Sequence, residues 1–530
     1  MKRAPWMTHY AERKEARLPA SRLLSTFVVA GLLTLGCASA QESSRVPPEE
    51  PSSRQVPALP EGLEDNAGKQ ADGQDQAPAL PEGLGGESSE KEPVQSQGPA
   101  LPAGLGGDSA EAASPGSPPD QQGGEPGGAF VAGLTGFWDV RAGVRLREDP
   151  NQRATSLGET RLQLSRDRYA GDAVFRVTAD LVYDNVADSH KLQPEQGRGW
   201  LDLREMYVGS PLGDSLDARV GRQVLTWGVG DLLFLNDLFP KDWNSFFSGR
   251  DVEYLKAPSD AVRIAYFGQA FNLDVVYTPK FDPDRFIDNR RLSFFDPRVG
   301  RVVGRDVVFK PQRPSDWFGD DEWAFRLHRI IGGWELAGYG YRGFWKSPEG
   351  FDPASGQPLF PRLAAWGGSI RGPVHTGILS AETSWYRSRD DLSGKNPFLP
   401  NSQFRFLLGY EQEVVSNFTI GGQYYLERTL DFDALQANQP PDFPAPDENR
   451  HLFTLRATVL THSQNVTWSL FTFASPSDDD AYIRGSWEWK ATDSWALSAG
   501  FNLFEGRSRE TFFGQFESNS NVYAGLRYGF

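Results

Sequence analysis

The chain has 530 residues, of which 39% are hydrophobic and 12% aromatic, with 55 glycines, one cysteine and a formal net charge of −16. A mean hydropathy of −0.49 excludes a bundle of membrane helices, each of which needs about 20 consecutive apolar residues, and the acidic charge excludes the basic surface of a nucleic-acid-binding protein. Many glycines and aromatic residues at low hydropathy are typical of a large β-barrel, in which apolar and polar residues alternate.

Residues 1–40 have the organisation of a secretory signal peptide. An apolar run at 23–35 follows several basic residues and precedes Ala38-Ser-Ala40, a pattern that predicts cleavage before Gln41. The run is too short to span a membrane. Lipidation at Cys37 is the alternative, although Thr34 occupies the position where a lipobox prefers leucine. Cleavage after residue 40 would leave a mature chain without disulfides or thiolate metal sites.

Residues 41–128 are predicted to form a disordered periplasmic extension. They contain no Phe, Trp or Tyr and are rich in Pro, Gly and Glu, so they bury too little apolar surface to offset the entropy lost on ordering. The sequence Pro-Ala-Leu-Pro-Glu/Ala-Gly-Leu occurs at 57–63, 78–84 and 99–105, at a fixed interval of 21 residues. One interpretation is a duplicated spacer. The alternative is a multivalent motif that binds a periplasmic partner.

Residues 129–530 are predicted to form an all-β domain, a transmembrane antiparallel β-barrel of the outer membrane. Runs with alternating apolar and polar positions recur throughout this region, which is the period of a strand with one face in lipid and the other in water. Eighteen strands are predicted, with sixteen as the alternative. The eighteen lie near 137–147, 157–168, 173–184, 198–208, 215–223, 260–267, 270–278, 322–330, 334–343, 362–371, 376–387, 402–414, 418–428, 450–460, 464–473, 481–490, 494–504 and 520–530.

Connections between the predicted strands alternate between brief and long. The brief connections are predicted to be periplasmic turns and the long ones extracellular loops, of which the largest are 224–259, 279–321, 344–361 and 429–449. An even strand count returns the carboxyl end to the periplasm, on the side of the predicted extension. The barrel-assembly machinery is expected to recognise the last strand, which ends in Phe530.

Alternation also assigns each residue to a face of the barrel. An arginine facing lipid near the bilayer midplane costs roughly 2–4 kcal/mol, so charged residues are predicted to line a water-filled lumen or to brace its wall as ion pairs. An excess of arginine favours anionic solutes weakly. Glu205 falls on the face of the leucines in its strand, which predicts either a bulge or a shifted strand register there. The predicted pore-lining residues are Arg141, Arg145, Arg161, Arg176, Asp180, Arg204, Arg219, Arg263, Arg326, Glu382, Arg405, Glu411, Glu427, Arg456, Arg484, Glu488 and Arg527.

Two long loops carry charges with a predicted function. Loop 224–259 mixes aromatic and charged residues, which suits folding into the lumen with aromatics on the wall; an external cap is the alternative. Loop 279–321 is basic and is expected to contact lipopolysaccharide phosphates or to attract anions. The predicted constriction residues of the first loop are Asp231, Asp237, Lys241, Asp242, Arg250, Asp251 and Glu253.

The chain is not predicted to be an enzyme. Its six histidines are scattered, and the spacings of zinc hydrolases, nucleophile-elbow hydrolases and phosphate-binding loops are absent from the sequence. No catalytic residue, cofactor or metal site is predicted. The expected partners are outer-membrane lipids and lipopolysaccharide, with no nucleic acid, and the choice between monomer and trimer stays open.

Two segments, 219–228 (Arg-Val-Gly-Arg-Gln-Val-Leu-Thr-Trp-Gly) and 421–427 (Gly-Gly-Gln-Tyr-Tyr-Leu-Glu), carry a family resemblance. They resemble a Gram-negative outer-membrane porin-like family, a largely uncharacterised proteobacterial group similar to alginate-export-type and other eighteen-stranded substrate porins. The resemblance covers roughly 136–530 and implies that Arg219 and Gln223 face the lumen just before the inward loop. It does not fix a substrate.

The sequence therefore predicts an outer-membrane channel for a small or medium organic solute. One alternative is the outer-membrane component of a lipid or polysaccharide export system, recruited through the N-terminal repeats. Another is a non-conducting surface scaffold. An electron conduit around a multihaem cytochrome would need a wider barrel.

Overall fold

A computed structural model describes residues 133–187, 191–296, 299–440 and 446–530. The predicted signal peptide and the repeat-bearing extension lie outside the described residues. One sheet of eighteen strands dominates the described part. The strands are β1 Leu134–Arg145, β2 Thr155–Ala170, β3 Ala173–Asp184, β4 Leu201–Pro211, β5 Leu216–Val224, β6 Pro258–Phe267, β7 Asn272–Thr278, β8 Glu322–Ile331, β9 Trp334–Phe344, β10 Arg362–Val374, β11 Gly377–Ser388, β12 Gln403–Val415, β13 Phe418–Thr429, β14 Asn449–Thr461, β15 Val466–Ser475, β16 Asp480–Lys490, β17 Trp495–Gly506 and β18 Asn521–Gly529.

The sheet closes on itself into a barrel. Each strand pairs antiparallel with its sequence neighbours, and β18 pairs with β1 from Phe137 opposite Gly529 to Arg145 opposite Asn521. The backbones of Gly136 and Phe530 exchange two further hydrogen bonds of 3.0 Å across this seam. Every predicted strand matches an observed one, so the all-β fold class and the count of eighteen are confirmed and the alternative of sixteen is excluded.

The connections differ in length between the two ends of the barrel, which we call the turn end and the loop end. Turns of a few residues join strands at the turn end, for example between Ile331 and Trp334. The loop end carries the long connections. Their described residues contain helices α1 Trp243–Ser248 and α2 Phe432–Asn438 and three short 3₁₀ segments at Pro194–Gln196, Val252–Leu255 and Gly514–Asn519. They also contain the hairpins Phe294–Asp296 with Arg301–Val303 and Gly350–Asp352 with Gln357–Leu359. Among the described residues, no helix has the length and apolar character needed to span a bilayer.

A bulge interrupts β4 where the sequence predicts one. Thr178 of β3 pairs with Glu205, but the next residue, Ala179, pairs with Leu203, so Arg204 has no partner in the ladder. The extra residue reverses the alternation along β4. Arg204 and Tyr207 are therefore both buried on the inner face, and the predicted bulge is confirmed.

Large apolar side chains cover the outer face of the barrel. Two exposed aromatic belts stand out, one at the turn end with Trp138, Trp468, Trp489, Trp495 and Phe530, the other at the loop end with Trp323, Trp366 and Trp385. Residues between the belts, such as Val140, Leu181 and Phe325, are also exposed. Aromatic belts on either side of an apolar band are the surface pattern of a barrel that spans a bilayer.

Candidate functional site

The loop between β5 and β6, residues 225–257, lies inside the barrel, and we call it the inserted loop. Its Gly249 carbonyl accepts a hydrogen bond of 3.1 Å from Arg141 Nη1 on β1, and its Phe246 carbonyl accepts one of 3.4 Å from the Tyr482 hydroxyl on β16. On another side of the ring, Glu382 of β11 accepts from the loop backbone. Arg141 and Glu382 lie within their strands and not at the rim of the barrel, so the loop folds inward rather than forming an external cap.

An aromatic cluster fixes the loop to the wall. Helix α1 begins where Asp242 Oδ1 accepts a hydrogen bond of 2.8 Å from Ser245 N and ends at Gly249, whose φ of 90° suits glycine. The helix presents Phe247, which is 2% exposed, to Tyr482 and Phe504 of the wall at centroid distances of 5.4 and 5.2 Å. Burying one such side chain stabilises the docked loop by about 1.5–3 kcal/mol.

Glu382 holds the first part of the inserted loop. Its buried carboxylate accepts hydrogen bonds from Val229 N at 3.0 Å, from Asn236 N at 2.9 Å and from Asn236 Nδ2 at 2.8 Å. Hydrogen bonds to a charged acceptor are stronger than those between neutral groups. The sequence predicts Glu382 as pore-lining, but its carboxylate is occupied by the loop.

Two wall arginines face the loop from the seam between β1 and β18. Asp139 accepts from Arg141 at 2.8 Å and from Arg527 at 3.0 Å, so one wall carboxylate braces both. The same two arginines also contact Asp251 of the loop at 3.4 and 3.2 Å, and Arg527 contacts Glu253 at 3.0 Å. Wall and loop thus share one network of alternating charge.

Arg250 is enclosed by carboxylates of the wall and the loop. Its Nε donates to Glu159 Oε2 at 2.9 Å, and its guanidinium lies 3.4 Å from Asp184 and 3.7 Å from Asp242. Desolvation lowers the pKa of Arg250, but the adjacent carboxylates more than offset this and leave the pKa raised above its usual value. Arg250 therefore stays charged at this position.

Asp231 forms the ion pair of the loop with the far wall. Its Oδ1 accepts from Arg456 Nη2 on β14. Burial raises the pKa of Asp231 to about 6, with Arg456 opposing the rise and Glu411 adding to it. This carboxylate therefore changes charge in mildly acidic solution, unlike an ordinary exposed aspartate.

The other predicted constriction charges pair within the loop. Asp237 and Lys241 form an ion pair of 2.9 Å and are 4% and 2% exposed. Asp242 is used as the helix cap described above. These three charges face protein groups, whereas Asp231, Arg250, Asp251 and Glu253 bridge the loop to the wall.

Loop 279–321 packs against the inserted loop. Asp284 accepts from Lys241 N at 2.8 Å and from Trp243 Nε1 at 2.9 Å, and Arg285 reaches Asp202 of the wall at 2.8 and 2.6 Å. Arg291 is 3% exposed and ion-pairs with Asp184. Its guanidinium is therefore withheld from external phosphates, whereas the Arg301 side chain of the same loop is 48% exposed. The expected contact of this loop with lipopolysaccharide or anions stays a prediction.

The predicted pore-lining residues share one face of the sheet. Strand register places all seventeen on the side that the inserted loop contacts. Several form wall ion pairs away from that loop, including Arg263 with Asp274 at 2.6 Å and Arg405 with Glu427 at 3.3 Å. Others in this class are Arg176 with Asp167, Arg219 with Asp217, and Arg326 with Glu335. Their role in lining a pore stays a prediction.

Tyr254 is a site residue that the sequence analysis did not single out. Its hydroxyl donates to Asp180 at 2.9 Å, and its ring lies under the guanidinium groups of Arg161 and Arg204, at 4.1 and 4.9 Å from the centroid. Stacking of arginine on an aromatic face stabilises both groups. Tyr254 directly follows Glu253 in the sequence, and this neighbouring carboxylate was the only local signal for a tyrosine that contacts a charged wall.

Two cavities flank the inserted loop. One, of about 340 Å³, is lined by Arg141, Asp251, Arg456, Arg484 and Arg527. The other, of about 300 Å³, lies towards the loop end beside Asp184, Arg198, Asp242 and Asp288. Arg250 lines both cavities, so its side chain stands between them.

No protein-family model and no curated protein matches the chain. Among solved structures, it is similar to OccAB1 of Acinetobacter baumannii, with 9% identity, a TM-score of 0.45, and coverage of 75% of this chain and 96% of that one. It is also similar to OccK11 of Pseudomonas aeruginosa, with 9% identity, a TM-score of 0.43, and coverage of 75% and 95%. It is similar as well to OccK10 of Pseudomonas aeruginosa, with 13% identity, a TM-score of 0.40, and coverage of 75% of this chain and 99% of that one. The barrel of this chain is established independently of these structures, by its own strand pairing.

Proposed function

We propose that the chain is a channel of the bacterial outer membrane that admits a small or medium organic solute. The observation that carries the proposal is the pair of cavities on either side of the inserted loop, with Arg250 common to both. A closed ring of strands gives a wall, and a loop held by ion pairs gives a constriction within it. Movement of Arg250 away from Glu159 would join the cavities.

The outer face of the barrel supports the proposal that it lies in a membrane. Its apolar band and two aromatic belts match the environment of a lipid bilayer. The even number of strands and the contrast between brief turns and long loops support a turn end in the periplasm and a loop end outside the cell. Residues 41–128 would then extend into the periplasm. We also propose that the barrel-assembly machinery recognises the last strand, which ends in Phe530.

Selectivity would come from the charges beside the inserted loop. The larger of these two cavities is lined by five arginines, Arg141, Arg250, Arg456, Arg484 and Arg527, and by two carboxylates, Asp251 and Glu488. Opposed charges orient water and discriminate between solutes by size and charge. We propose a preference for anionic solutes, set by these arginines and modulated by Asp231, Asp251 and Glu253.

The test is conductance of the purified full-length protein in planar bilayers, with Arg250→Ala compared against Arg263→Ala. Arg263 pairs with Asp274 on the wall and does not contact the inserted loop. We expect a small single-channel conductance for the wild type, a clearly larger one for Arg250→Ala, and a wild-type value for the control. Absence of conductance in both the wild type and Arg250→Ala would refute the channel.

A further inference from the structure

Four arginines form a cluster on the outer face at the loop end. Arg342 of β9 lies opposite Ala364 of β10, which lies opposite Arg387 of β11. Two strand spacings therefore separate Arg342 from Arg387, about 10 Å. Arg362 is two residues from Ala364, about 7 Å further towards the loops, and its carbonyl accepts a hydrogen bond of 2.9 Å from Arg389 N.

None of these arginines has a protein partner in the part of the chain that the structure describes. No carboxylate lies within 4.0 Å of their guanidinium groups, and none of the groups donates a side-chain hydrogen bond. The neighbouring Asp390 carboxylate accepts instead from Arg362 N, at 2.7 Å. Inside the barrel, by contrast, arginines such as Arg161, Arg285 and Arg456 are ion-paired.

Like charges at this site raise each other's energy. The pKa of Arg389 is lowered, first by burial and then by repulsion from Arg342 and Arg362, and the neighbouring Asp390 only partly opposes this fall. Arg342, Arg362 and Arg387 are exposed. An anion that bridged them would relieve the repulsion, because an arginine donates two parallel hydrogen bonds to a phosphate group.

The depth of the cluster identifies its surroundings. Trp366 and Trp385 lie directly opposite each other, two residues from Ala364 and Arg387 on the membrane side, and both are exposed. Trp323 lies opposite Arg342. Since tryptophans mark the boundary between hydrocarbon and headgroups, the guanidinium groups stand at headgroup depth, where the cost of an outward arginine is small.

We propose that Arg342, Arg362, Arg387 and Arg389 bind the phosphate groups of lipopolysaccharide in the outer leaflet, and we call them the rim patch. The inference rests on the proposed outer-membrane orientation, in which the loop end faces outward, but not on conductance. Four guanidinium groups over roughly 7 by 10 Å suit a headgroup with more than one phosphate better than a lipid with a single phosphodiester. This surface lies apart from loop 279–321.

The test compares two double variants that remove equal charge. Arg342→Gln with Arg387→Gln removes half of the rim patch, and Arg168→Gln with Arg329→Gln removes two exposed outward arginines at the turn end. Binding of fluorescent lipopolysaccharide to the full-length protein in nanodiscs is measured. We expect about thirtyfold weaker binding for the rim variant, since each basic residue near an anionic lipid surface contributes about a factor of five, and unchanged binding for the control.

Three outcomes would overturn the rim patch: equal losses in the two double variants, binding of phosphatidylglycerol nanodiscs as tight as lipopolysaccharide, or displacement of the lipid by inorganic phosphate at equal concentration. A heat-dependent gel shift shows whether each variant is folded. If the glutamine variant fails to fold, the double variant Arg342→Lys with Arg387→Lys takes its place. It keeps both charges but loses the two parallel hydrogen bonds that an arginine donates to a phosphate. Lipopolysaccharide binding as tight as that of the wild type in this lysine variant would also count against the site. Bilayer conductance is measured separately from lipopolysaccharide binding. A protein without conductance would therefore refute the proposed channel but not the rim patch.

Discussion

Asp231 of the inserted loop and Arg456 of β14 form an ion pair inside the barrel, and Asp231 is the member that titrates near neutrality. Above pH 6 the pair is neutral overall. Below it, Asp231 is uncharged and Arg456 stands alone beside the larger cavity. This pair makes the charge of the lumen dependent on pH.

Reversal potentials should therefore shift with pH. We expect stronger anion selectivity at about pH 5 than at about pH 7.5, because protonation of Asp231 adds one net positive charge to the lumen. Since the folded pKa of about 6 lies above the ordinary value of an aspartate, the contribution of Asp231 to the stability of the folded state rises as the pH falls through this range. In Asp231→Asn, selectivity should already be high at neutral pH and should shift little. A wild-type shift retained in that variant would assign the titration elsewhere, for instance to Asp282, whose pKa burial also raises to about 6.

Replacing Glu382 by alanine should release the first part of the inserted loop. The change leaves Val229 N and Asn236 N without their acceptor, while Asn236 Nδ2 keeps its bond of 3.0 Å to the Thr383 carbonyl. Each unsatisfied buried group costs about 1–3 kcal/mol. We expect larger and noisier conductance and faster tryptic cleavage after Lys241 or Arg250. Ser380→Ala, two residues away on the same face, is the matched control. Identical cleavage in the two variants would show that Glu382 does not hold the loop.

Phe247→Ala should loosen the loop without opening the barrel. The side chain packs on Tyr482, Phe504 and Phe516, and its removal from a packed cluster costs about 3–5 kcal/mol. The strand ladder is untouched, so the heat-dependent gel shift should persist while protease resistance of the loop falls. Phe453→Ala, which removes an exposed outward ring, should leave loop resistance unchanged. Loss of the folded band in Phe247→Ala would instead make the cluster essential to the barrel itself.

Deleting residues 41–128 should leave single-channel conductance unchanged, because these residues precede the barrel and belong to the predicted extension. If the three repeats form a multivalent motif, a periplasmic protein that co-purifies with the wild type should be lost. Retention of every periplasmic co-purifying protein would favour the spacer interpretation. A change in conductance would mean that the extension reaches the lumen.

The barrel was predictable because lipid acts on every strand in the same way. Period-two alternation located all eighteen strands, and the one break in alternation, at Glu205, located the bulge. The wall residues that the inserted loop contacts could not be predicted from the sequence of the loop itself. Phe247 meets Tyr482 and Phe504, which lie more than two hundred residues later in the chain, and no short-range pattern reports such a contact. Charge alone also failed to distinguish Asp237 and Lys241, which pair with each other, from Asp231, which spans to the wall.

The order of these contacts along the chain has a consequence for biogenesis. The inserted loop is synthesised after only five strands, yet the aromatic residues that anchor it belong to β15, β16 and β17. Contacts so distant in sequence form late, because the intervening chain must first be ordered. The inserted loop can therefore dock only when β1 and the strands β15, β16 and β17 stand in one wall, so a partly assembled barrel would hold this segment undocked.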